Sequence, residues 1–232
     1  MSQLKNIKKQ FINSLKIFYK PREVFHYCKE ESNWIVPLFI VIVICLISAH
    51  ILVPNLIIPD QIERFANNPN LAAEQRETNI NFLNSSFHYF TEYISTAFTR
   101  VIYYPLLAFL LTLLPLVFKA EPISYKYLFS AVIYTGIINS LGFLADSILK
   151  LQSGTLDIGL NLSLLFDNFD LGRLNYLFQS INIVGIWQVI LLSMLISIFF
   201  KYSKIKAFGI ILNFWLIIKL IHSYIIYLRA TF

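Results

Sequence analysis

Two cysteines, seven glycines and a charged fraction of only 14% leave this chain little from which to build a disulfide scaffold, a phosphate-cradling loop or a water-facing globule. Cys28 and Cys45 stand about 25 Å apart if the chain between them is helical at about 1.5 Å per residue, which excludes a bridge. The glycines are dispersed, and no HExxH, GxSxG, CxxC or P-loop pattern occurs. Within the apolar runs no two His, Cys or carboxylate residues have metal-ligand spacing, and no Ser or Cys has a general base one turn away. The expectation is therefore a non-enzymatic protein with no metal and no cofactor.

What the chain has in abundance is apolar length. Its hydrophobic content of 57% lies above the roughly 45–50% usual for soluble domains. Five runs, at 34–58, 95–118, 127–148, 181–200 and 207–227, each meet the roughly 20 residues that a helix needs to cross a bilayer core. The predicted fold is all-α and polytopic, with a basic interfacial region over 1–33 and one five-helix bundle over 34–232. Because the first run starts after 33 residues and is 25 long, it is expected to be an uncleaved anchor rather than a signal peptide.

Charge orients the bundle. With the amino end in the cytoplasm, twelve of the 19 Lys and Arg residues fall on the cytoplasmic side and six outside, with Lys219 inside a span. The positive-inside rule then predicts an N-in, C-out topology. Aromatic residues divide in the same way, with Trp34, Tyr125, Tyr127 and Tyr202 at cytoplasmic ends and Tyr103, Tyr104, Trp187, Tyr224 and Tyr227 at outer ends. A net charge of +6 concentrated at the cytoplasmic boundary predicts anionic lipid as the counter-charge rather than nucleic acid.

Leu4, Ile7, Phe11, Leu15 and Phe18 recur at helical spacing, while Lys5, Lys8, Lys9, Lys16 and Lys20 fill the remaining arc up to Pro21. Such a helix either lies flat on the membrane, with its lysines on the lipid surface, or tucks its apolar stripe beneath the bundle. A second short helix follows over 22–33, in which Cys28 is either a juxtamembrane acylation site or a buried thiol. The 59–94 connection reads as two helical pieces about the turn at 67–70, the second able to run from Leu71 directly into the second span. The 149–180 connection mixes Leu160, Leu162, Leu164, Leu165 and Phe166 with Asp157, Asp167 and Asp170, and is expected to be interfacial or re-entrant. Prolines 37, 54, 105 and 115 predict kinks in the first two spans.

Lys219 is the ionisable residue deepest in a span, about 18 Å along its helix from Ala207. Trp215, Lys219 and His222 share a face by their spacing, and Asn139, Thr135, Gln188 and Asp146 lie at depths from which a polar cluster can form. Lys219 has three readings: an ammonium that snorkels to the interface, an ion pair with Asp146, or a site for an ion or substrate. Gly136 and Ser140, four residues apart, allow close helix approach, within the bundle or across a homodimer seam.

Several strings resemble the Yip family of multi-spanning membrane proteins, in particular its bacterial branch. They are PREVF at Pro21 to Phe25, WIVP at Trp34 to Pro37, YKYLFSAVIYTGIINSL ending at Leu141, INIVGIW at Ile181 to Trp187, and YSKIKA at Tyr202 to Ala207. The resemblance implies five spans and, for the bacterial branch, residence in the inner membrane. Eukaryotic members engage Rab GTPases through the N-terminal region and carry an Asp-Leu-Tyr-Gly-Pro stretch that this chain lacks, so GTPase binding is not implied here. Two functions follow as expectations. One is membrane organisation or scaffolding, with the lipid bilayer and a protein partner at the N-terminal region; the other is a small transporter or channel component built on Lys219, for which a homo-oligomer would be needed.

Overall fold

The computed structural model describes residues 2–119, 121–166 and 174–231. Asp167, Asp170 and Arg173, which figure in the reading of the 149–180 connection and in the charge count, lie outside the described residues. Two short helices come first, Ser2–Lys16 (α1) and Pro21–Glu30 (α2). Pro21 opens α2 at a position where its missing N–H has no helical partner to lose.

Ile35–Leu52 (α3) does not stop where its hydropathy suggests. Pro54 withholds an N–H, and the helix widens into a single π turn over Val53–Ile57, in which Ile58 N bonds back to Val53 O. It then resumes as Ile58–Ala66 (α4), so one continuous rod covers 32 residues, Ile35–Ala66. After the turn at 67–72 comes Ala73–Leu83 (α5). The expected uninterrupted helix from Leu71 into the second span is corrected here. Ser85 is extended, its side chain accepts from His88 N at 3.2 Å, and Ser86–Thr112 (α6) starts as a newly capped helix. Leu114–Phe118 (α7) continues past a break next to Pro115.

Tyr125–Ser153 (α8) ends on Gly154, whose φ of 69° is the left-handed conformation that glycine adopts without a Cβ penalty. The chain then folds back, with Leu162 N on Ile181 O at 2.9 Å and Ile183 N on Leu160 O at 3.2 Å. Leu174–Ser180 (α9), Ile183–Phe200 (α10) and Lys204–Thr231 (α11) complete the chain. Among the described residues five helices are long and apolar enough to cross a membrane: Ile35–Ala66, Ser86–Phe118, Tyr125–Ser153, Ile183–Phe200 and Lys204–Ile225. The chain is an all-helical integral membrane protein.

Helix α8 is the axis of the bundle, touching α2, α3, α6 and α10, whereas α11 lies outside, against α9 and α10. Every residue from Ser130 to Ile138 is buried. Small residues make this possible: a Cβ on Gly136 would lie 2.9 Å from the Tyr104 ring, so the glycine admits that ring against the α8 backbone. Tyr104 O–H donates to Gly136 O at 3.2 Å, with Ser140 Oγ 3.4 Å away. Gly136 and Ser140 therefore pack within the chain. Tyr104 is a core residue with 1% exposure rather than part of an aromatic belt, while Tyr103, Trp187 and Tyr224 do face outward.

Candidate functional site

A cavity of about 550 Å³ opens at the end of the bundle away from α1 and α2. On α8, Asn139, Phe143, Asp146 and Lys150 recur at helical spacing and line one wall. Arg100 of α6, Lys219 and His222 of α11, and Asn182 at the start of α10 supply the others, and the 156–161 segment closes the end. Two glycines set the shape. A Cβ on Gly142 would stand 2.5 Å from a Val184 methyl, so its absence brings the start of α10 onto α8. A Cβ on Gly159 would stand 2.9 Å from Asp146 Oδ1, and without it Leu160 N donates to that oxygen at 2.8 Å.

The polar groups fall into two sets. Asp146 is held by Lys150 at 3.0 Å as well as by Leu160 N, so the ion pair considered for Lys219 goes to Lys150 instead. Asn182 caps α10 by accepting from Gly185 N. The Arg100 guanidinium lies 4.3 Å from the Phe143 ring centroid and the Lys219 ammonium 5.6 Å from that of Trp215. Neither cation has a carboxylate within ion-pair distance among the described residues.

Of the residues singled out from sequence, Lys219, His222, Asn139 and Asp146 meet around this cavity. Thr135 and Gln188 do not. Thr135 is fully buried with its hydroxyl on Val132 O at 2.7 Å, and Gln188 is 7% exposed in the core with no hydrogen-bond partner for Nε2 among the described residues. Sequence reasoning missed Arg100, Asn182 and Lys150. The signal for Arg100 was present, since it is the sole charge between Glu92 and Lys119 and meets the same criterion that singled out Lys219. Among the described residues no group of three His, Cys, Asp or Glu is placed to hold a metal.

At the opposite end α1 turns its polar side inward. Gln10, Asn13, Ser14 and Ile17 are buried, whereas Leu4, Ile7, Phe11, Leu15 and Phe18 are all exposed, Leu4 by 74%. Gln10 Oε1 accepts from Val36 N at 3.0 Å, and Lys9 pairs with Glu31 at 2.7 Å with its ammonium 4.5 Å from the Tyr27 ring centroid. Lys16 and Lys20 both bind Glu23, at 3.1 and 2.9 Å, and hold its carboxyl below the usual range. Lys5 and Lys8 are exposed with no carboxylate partner among the described residues. Burial pushes the Cys28 thiol up to about 12, and the completely covered sulfur is closed to acylation.

Comparison with known proteins adds one finding. The family model of the Yip1 domain matches residues 15–225. No curated protein and no solved structure matches.

Proposed function

This chain belongs to the Yip1 domain family, and from that premise we propose that it is a non-enzymatic organiser of the bilayer, acting through α1 laid into the leaflet at the N-terminal end. One observation carries this reading: α1 is clasped to the bundle by Gln10 and Lys9 on its polar side and presents Leu4, Ile7, Phe11, Leu15 and Phe18 outward. An apolar stripe pointing away from the protein, at the level where the spans begin, is stabilised by burial in the headgroup and acyl boundary. Because the arm is anchored to five spans, its insertion displaces lipid in one leaflet at a defined distance from the bundle. Lys5 and Lys8 are free to meet anionic headgroups, whereas Lys9, Lys16 and Lys20 are engaged with Glu31 and Glu23. The positive-inside count supports a cytoplasmic position for this end and accords with residence in a bacterial inner membrane.

The test is depth-dependent quenching in vesicles. A fluorophore on Phe11→Cys should be quenched by nitroxide on upper acyl carbons and one on Lys8→Cys should not. Equal aqueous exposure of the two labels would remove the proposal, as would unchanged lipid association and vesicle morphology after deletion of residues 1–20.

A second reading attaches to the cavity, where Arg100 and Lys219 favour binding of a small charged solute. The wholly buried stretch Ser130–Ile138 lies between this cavity and the other face, so the geometry favours a one-sided pocket over an open channel. Lys219→Met should abolish solute binding or liposome flux on this reading; a change confined to thermal stability would refute it.

A further inference from the structure

Beneath α2, the faces of α10 and α11 leave a groove of about 260 Å³ lined by Arg22, Ile190, Ser193, Met194, Ser197, Ile198, Lys204 and Phe208. We propose that this groove is a seat for one anionic phospholipid of the leaflet at the N-terminal end, its phosphate on Arg22 and Lys204 and an acyl chain along Ile190, Met194 and Phe208. This goes beyond the organising role of α1 and does not depend on it.

The groove is apolar along its length and basic at its mouth. Ile190, Met194 and Ile198 follow one another at four-residue spacing on α10, a track of about 12 Å at about 1.5 Å per residue. Its two serines turn their hydroxyls to backbone, Ser193 to Val189 O at 2.6 Å and Ser197 to Tyr202 O at 2.8 Å, so their polar capacity is used internally. Met194 is a side chain that adapts to a flexible chain.

The cations are selected by what surrounds them. Lys29 donates to Ile198 O at 3.0 Å, Lys201 pairs with Glu121 at 3.4 Å, and the Lys206 ammonium lies 4.1 Å from the Tyr202 ring centroid. Arg22 and Lys204, by contrast, have no carboxylate within ion-pair distance among the described residues. Both stand in the first turn of their helices, α2 and α11, where unsatisfied N–H groups add positive potential. Arg22 offers a planar fork for phosphate oxygens and Lys204 a point charge. A zwitterionic headgroup would bring its own ammonium into this field, so net negative charge is preferred.

The test is native mass spectrometry of the delipidated full chain titrated with phosphatidylglycerol or phosphatidylcholine of identical chains. Two cations at about fivefold each predict a preference for phosphatidylglycerol of about 25-fold. Arg22→Gln with Lys204→Gln should reduce it to within about twofold, while Arg64→Gln, at the other end of the molecule, should leave it intact. Met194→Trp should weaken binding of both lipids by filling the chain track, and unchanged thermal unfolding of each variant establishes that it has folded. Equal binding of the two lipids by the unaltered chain would overturn the proposal. So would a preference that survives the double substitution, glycerol phosphate binding as tightly as the whole lipid, or a dimer that covers the groove and is lost in Met194→Trp.

Discussion

Helices α8 and α11 are nearly equal in length, 29 and 28 residues, and their most apolar windows have equal mean hydropathy, yet those windows are 61% and 11% buried. In water such a pair could not exist, because the outer helix would expose its leucines and isoleucines to solvent. In a bilayer the hydrocarbon accepts Ile217, Leu220 and Ile221 of α11 as readily as the core accepts Ile133 and Ile137 of α8. The difference lies in small and hydroxyl residues. Helix α8 carries Ser130, Ala131, Gly136, Ser140 and Gly142 where neighbours press on its backbone, and at Gly209 of α11 nothing lies within 4 Å of where a Cβ would be.

The largest expected contrast is chemical. Cys28, on the covered face of α2, should alkylate at pH 8 about a thousandfold more slowly than a cysteine placed at Glu77, which is exposed and outside the spans, following its lower thiolate fraction. Burial raises its folded value to about 12 from 9.0. The unfolded thiol therefore releases its proton first, and stability should fall as pH rises from 9 toward 12. Denaturant unfolding of Cys28→Ala against the unaltered chain checks that slope, which the substitution should reduce but not abolish, because burial also pushes the Tyr27 hydroxyl up to about 12.

Packing comes next. Gly142→Ala would drive a methyl to 2.5 Å from Val184 and should destabilise the bundle by about 1–3 kcal/mol in detergent unfolding, closing part of the polar cavity as well. Tyr104→Phe keeps the ring against Gly136 but deletes its hydrogen bond, for an expected loss of about 1 kcal/mol. The smallest effect has the opposite sign: Gly209→Ala on α11 should leave stability unchanged or raise it by up to about 1 kcal/mol, from helix propensity alone. A large loss at Gly209 would mean that α11 has a packed partner in the membrane, most simply a second copy of the chain.

Much of the site was legible and some was not, for reasons that particular residues make plain. The spacing of Trp215, Lys219 and His222 put the three on one helix face; the structure adds that the Lys219 ammonium lies 5.6 Å from the Trp215 ring centroid and that Lys219 and His222 both line the cavity. Thr135 and Gln188 looked equally suitable by depth, but depth carries no information about azimuth, and both turn into the core instead. Position near an outer end suggests an interfacial aromatic at Tyr104 as much as at Tyr103, yet adjacent helical residues point about 100° apart, and only Tyr103 faces outward. The break at Asn84 and Ser85 was overlooked, although a serine three residues before His88 is an ordinary helix cap.

Composition and hydropathy were enough to mark out five helices long and apolar enough to cross a membrane among the described residues, because hydrocarbon offers no partner to a bare peptide group and long apolar runs must become helices that satisfy their own backbones. The sequence also determined which ionisable residues fall within those runs. Tertiary structure alone decided which helix is the axis, which polar residues meet, and which side of α1 faces the protein. With lipid outside and side chains inside both apolar, hydrophobicity ceases to distinguish them, and close fit at residues such as Gly136 and Gly142 takes over.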